Sequence, residues 1–164
     1  MDTVTLPLLT RSLTALSGIM TKVEAHCAAN SIDPAVLIGD RLFADMFPLS
    51  RQVQLTCDFS VRMVARLCGQ DPASFADVET TFPELRDRIA KASDYIAGFT
   101  PADFEGSEER EIVLSLRGGE LRMSGQDYHS LFALPQVYFH MTSAYNILRH
   151  NGVPLGKMDF MGAR

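Results

Sequence analysis

An antiparallel four-helix bundle with a β-hairpin inserted before its last helix is the fold this sequence predicts, and three observations carry that prediction. Four stretches repeat apolar residues at steps of three and four, the spacing of a helix that buries one face. Capping residues and glycine or proline stops bracket them. Between the third and fourth stretches the period falls to two around a Gly-Gly pair, as in a hairpin.

The elements follow in order. Leu6, Leu9, Leu13, Leu16, Met20 and Val23 form the seam of a first helix running to about residue 29, where Asn30-Ser31 ends it. Asp33-Pro34 is an N-cap and first-turn pair opening a short helix, PAVLIG. The connector DRLFADMFPLS follows, with Met46, Phe47 and Leu49 expected to close one end of the bundle. Ser50 is the expected cap of the second long helix, whose stripe is Val53, Cys57, Ser60, Val64 and Leu67 and which runs to about Cys68 before Gly69. Thr81 opens the third, with Pro83 in its first turn and Glu84 at its positive end. Phe82, Leu85, Ile89, Ala92, Ile96 and Phe99 give it the same seam.

Residues 111–124 read as the hairpin, turning at Gly118-Gly119. The fourth helix is expected from Leu134, with Pro135 in its first turn, to about Asn151. Leu134, Val137, Met141, Ala144, Tyr145 and Leu148 face inward, and Gly152, Val153 and Pro154 form a sharp stop. No internal repeat or linker divides the chain, so one domain of 164 residues is expected.

Composition narrows the function classes. Hydrophobic residues make up 46% of the chain and charged residues 21%, ordinary values for a soluble globular protein. The net charge of −5 argues against nucleic-acid binding, which needs a basic face. No apolar run is long enough to span a membrane, and the N-terminal residues lack the pattern of a signal peptide. Three widely spaced cysteines, each in a helical pattern, fit reduced thiols and a cytoplasmic location.

The candidate chemistry concentrates on a few residues. His140 borders the inward stripe of the fourth helix, but positions four before and four after it hold Gln136 and Ala144. It therefore lacks the i, i+4 partner typical of a helical metal site. His150 suits the negative end of the last helix, His129 falls in the turn ahead of Pro135, and His26 ends the first helix. Asp58 has two readings. With Arg62 four residues on it makes a surface ion pair; leaning inward it meets His140, as a structural lock or as an oriented base. Asp58, Gln54, His140 and Tyr138 are the expected lining of a small polar pocket. Gly118-Gly119 is a turn and not a phosphate loop, and no nucleophile elbow occurs.

Three blocks carry a family resemblance: ADMFPLSRQVQLTCDF at 44–59, TTFPELRDRIAKA at 80–92 and LPQVYFHMTSAYNILRHNGVPLGKMDFMG at 134–162. They resemble a bacterial domain-of-unknown-function family related to the DinB/YfiT-like superfamily of metal-dependent helical bundles, over nearly the whole chain. The resemblance implies a DinB-like topology and a homodimer. Better-known DinB-like members are metal-dependent thiol transferases or hydrolases, with one histidine on the second helix and two on the fourth. Carried over, the second-helix position falls near Asp58 and one fourth-helix position on His140; the second fourth-helix histidine has no counterpart.

The expectation is thus a metal-free protein that binds a small molecule or a partner, with no cofactor. The alternative is a metal-dependent transferase or hydrolase with an altered divalent-metal site at His140 and Asp58, joined by His26 or His129. Leu8, Ala15 and Ile19, a second apolar edge on the first helix, are the expected face of the homodimer.

Overall fold

The computed structural model describes residues 2–162. Helices α1 (Asp2–Asn30), α3 (Leu49–Leu67), α4 (Phe82–Ala97) and α6 (Leu134–His150) form the bundle. The short α2 (Pro34–Gly39) links α1 to α3. Strands β1 (Glu111–Leu116) and β2 (Gly119–Ser124) pair antiparallel between α4 and α6. A three-residue turn, α5 (Gly125–Asp127), leads towards α6, and α7 (Lys157–Met161) closes the described chain. Among the described residues no helix is long and apolar enough to cross a membrane.

The predicted stripes are the core. Leu9, Leu13, Leu16, Met20 and Val23 of α1 are fully buried against Val53, Cys57, Val64 and Leu67 of α3, Leu85, Ile89, Ala92 and Ile96 of α4, and Val137, Met141, Ala144 and Leu148 of α6. Burying apolar side chains of this size contributes roughly 1.5–3 kcal/mol each, which makes the seam the main source of stability. Two caps match expectation in detail. Thr81 and Glu84 form a reciprocal capping box on α4. At the end of α6, Gly152 takes φ +82°, and Val153 N–H returns to the Leu148 carbonyl at 3.1 Å. This is the glycine stop that satisfies the last carbonyls of a helix.

Several expectations are corrected. Ser50 lies inside α3; Pro48 occupies the cap position and makes no side-chain cap bond. Leu49 is buried, but Phe47 is 54% exposed and closes nothing. The hairpin turns at Arg117-Gly118, because Leu116 pairs with Gly119. Its positive φ falls on Gly119, so the turn is not the primed type.

Pro135 does not begin a helix after a loop. Helical backbone starts at Gly125, capped by the Ser124 hydroxyl, and passes through a wide π turn over Tyr128–Ala133 into α6. There Leu134 N–H bonds the His129 carbonyl, five residues back. The wide turn removes the conflict between a proline ring and the carbonyl four residues earlier. Gly125 is required where this segment begins, since a Cβ would collide with the Ser107 carbonyl oxygen.

The second apolar edge of α1 is also used differently. Ala15 and Ile19 are buried within the chain, beside α7 and the residues around it. Lys22 pairs with Asp159, and Arg11 donates to the Met161 carbonyl, tying α7 down. Ala15 and Ile19 therefore offer no face to another copy, and only Leu8 stays half-exposed.

Candidate functional site

Two polar clusters and one groove are the places where chemistry is concentrated. The first cluster surrounds Arg88, which falls in the inward stripe of α4, three residues after Leu85 and four before Ala92, and is 1% exposed. Its guanidinium donates to Asp58 of α3 at 2.5 Å, Glu79 at 3.1 Å, Asp77 at 3.2 Å and the Ala76 carbonyl at 2.9 Å. The Phe75 ring lies 4.8 Å from the guanidinium carbon. Burial alone would lower the Arg88 pKa, but Asp58 and Glu79 more than reverse it and hold the group charged. Arg62 bonds the other Asp58 oxygen at 3.0 Å. Gln54 donates to Glu79 at 2.9 Å and accepts from Arg51, which also pairs with Asp77. Three arginines thus face three carboxylates and fasten residues 75–79 across α3 and α4.

The second cluster joins α3 to α6. Gln52 donates through Nε2 to the Phe47 carbonyl at 3.1 Å, which turns its Oε1 towards His140 Nδ1 at 2.8 Å. An amide oxygen only accepts, so Nδ1 carries the hydrogen. Phe59 stacks on the imidazole at 5.5 Å and Phe139 meets it edge-on at 5.2 Å. Burial, with a smaller contribution from Arg51, lowers the His140 pKa to about 4. The ring is therefore neutral at pH 7.

Helical geometry explains why Asp58 and His140 are apart. Gln54 and Asp58, at i and i+4, share the face of α3 turned to α4, whereas Gln52 and Phe59, at i and i+7, face α6. The inward lean of Asp58 brings it to Arg88 and not to His140. His26 bonds Asn30 of its own helix, and His129 lies against Thr5 of α1 at 3.1 Å.

Among the described residues no three histidine, cysteine, aspartate or glutamate side chains gather where they could hold a metal ion. Of the side chains that the resemblance nominates, Asp58 is shared by Arg88 and Arg62 and no second donor joins His140 among the described residues, so the donor set does not fit a metal. The thiols are also poor nucleophiles. Burial raises the pKa of Cys57 to about 12 and of Cys68 to about 11, and raises that of Cys27.

The remaining expected residue, Tyr138, lines a groove between α1 and α6 roofed by α7. This cavity of about 320 Å³ is bounded by Pro7, Leu8, Arg11, Ser12, Tyr138, Phe160 and Met161. The Ser12 residue is only 8% exposed. Among the described residues neither the Ser12 nor the Tyr138 hydroxyl has a hydrogen-bond partner. Asp58, Gln54, His140 and Tyr138 are therefore divided among three places. Sequence reasoning missed Arg88, whose signal was a polar residue at an inward stripe position, and Gln52, which adjoins the stripe residue Val53. It also missed Ser12, which sits beside the stripe residue Leu13.

Two predictions follow from these clusters. Asp58→Ala leaves Arg88 buried and under-paired, and should lower unfolding free energy by about 3–5 kcal/mol in urea titrations. His140 titrates at about 4 when folded against an ordinary 6.5, so the unfolded chain takes up its proton first as pH falls. Stability should drop by about 2–3 kcal/mol between pH 6.5 and 4, with none of this loss above that window. His140→Leu should remove that part of the pH dependence.

Comparison with known proteins agrees with this architecture. The family model described as "Domain of unknown function (DUF1993)" matches residues 1–161. No curated protein matches the chain. Among solved structures, the crystal structure of a DinB family member protein from Shewanella denitrificans is similar, with a TM-score of 0.90 and 41% sequence identity. That match covers 97% of this chain and 90% of the other. On the family match and on the shared helical fold, the chain belongs to the DUF1993 family of DinB-like proteins.

Proposed function

We propose that this protein is a metal-free binder of a small amphipathic molecule, which it holds in the groove between α1, α6 and α7. One observation carries the reading. Ser12, a largely buried residue, and Tyr138, whose hydroxyls have no protein partners among the described residues, line a cavity otherwise walled by Pro7, Leu8, Arg11, Phe160 and Met161. Few polar groups set in an apolar concavity of about this volume are the usual make-up of a small-molecule site. The α3–α4 cluster supports the metal-free part of the reading, because Asp58, the partner that a site at His140 would need, is held by Arg88 and Arg62.

The protein is also proposed to be a homodimer. Leu131, 73% exposed, and Phe139, 57% exposed, flank Pro135 at helical spacing on the outer face of the α6 region. Two copies related by a two-fold axis would cover this face with its own equivalent.

Elemental analysis of protein purified without chelator or affinity tag should find far less than one equivalent of zinc, nickel, iron or manganese. Native mass spectrometry of the same sample should find a small-molecule adduct that is lost in Leu8→Trp, which fills the groove. One equivalent of metal, lost in His140→Ala, would instead favour a metal-dependent thiol transferase or hydrolase. Light scattering should give the mass of a dimer, reduced to that of a monomer by Phe139→Glu; a monomeric native protein would contradict the proposed dimer.

A further inference from the structure

We infer that the molecule held in this groove is a monocarboxylate with an apolar tail, and that Arg11 is the residue that selects it. The inference rests on the reading of the groove as a ligand site and adds the chemistry of the ligand. Among the described residues Arg11 is the single cation that lines the cavity, and no carboxylate lines it with Arg11. Its Nε donates to the Met161 carbonyl at 2.6 Å, which fixes the plane of the guanidinium.

Both terminal amino groups of Arg11 are left without an acceptor among the described residues. A guanidinium anchored through Nε and open at its two outer nitrogens presents the paired donors that bind a carboxylate in bidentate fashion. Because it is fixed before the ligand arrives, little side-chain entropy remains to be lost on binding.

The rest of the groove suits such a molecule. Arg11 is exposed and Ser12 is buried, which places the charged end of the ligand at the mouth. Pro7, Leu8, Phe160 and Met161 then receive the tail, and the hydroxyls of Ser12 and Tyr138 can meet polar atoms along it. An amine would be repelled by Arg11. A neutral alcohol would gain the apolar contacts but leave the paired donors to water.

Isothermal titration with octanoate, octan-1-ol and octylamine tests the inference on the full chain. Octanoate should bind at least tenfold more tightly than either other probe, and more weakly as salt rises. Arg11→Met should cost the octanoate affinity about tenfold or more while leaving the octan-1-ol affinity unchanged. Arg11→Lys, which keeps the charge and loses the fork, should fall between the two. Circular dichroism of each variant checks that it is folded. Equal binding of octanoate and octan-1-ol, blocked in both cases by Leu8→Trp, would overturn the carboxylate selectivity and leave the groove standing. Binding of none of the probes by the folded native chain would overturn both.

Discussion

A single buried guanidinium organises the side of the bundle where α3 meets α4. Arg88 stands in an apolar stripe and is shielded from water, so its charge must be answered inside the protein. Asp58 answers it from α3, and Glu79, Asp77 and the Ala76 carbonyl answer it from a segment without regular structure. Phe75 and Ala73 of this segment pack on the core beside it. The path of the segment is set by the need to deliver carboxylates and a carbonyl to one group. The arrangement also fixes what Asp58 cannot do, because a carboxylate shared by Arg88 and Arg62 is not free to orient an imidazole across the bundle.

That commitment leaves the α3–α6 interface to a neutral pair. Gln52 accepts from His140 Nδ1, Phe59 stacks on the ring and Phe139 meets it edge-on. A histidine held neutral in this way is a packing element with one fixed hydrogen bond. Two polar clusters, both built on α3, thus fasten it to its neighbours on either side. The groove along α1 has a different character: its Ser12 and Tyr138 hydroxyls and the outer nitrogens of Arg11 have no protein partners among the described residues.

Much of this architecture can be read from residue spacing, because stripes, caps and stops are local features. Thr81 with Glu84, and Gly152 with Val153, announce helix ends within a few residues of sequence. The helix through Pro135 could not be read, since the wide turn that accommodates it depends on how the segment from Gly125 packs on Ser107. The partners of Asp58 were hidden for another reason. Spacing along one helix says which face a side chain occupies, but not which neighbouring helix that face meets. Arg88 and Gln52 were passed over because Asp58 and His140 were the polar residues weighed as partners across the bundle. The groove depends on α7 folding back over α1, a contact between the two ends of the chain that no local pattern encodes.

The proposed ligand site lies along α1, α6 and α7, away from the histidine between α3 and α6. The most direct test is amide chemical-shift mapping during an octanoate titration. That placement predicts shifts concentrated at Leu8, Ser12, Tyr138 and Phe160, with Gln52, Phe59 and His140 unmoved. Shifts centred on Gln52 and His140, with the α1 groove silent, would contradict it.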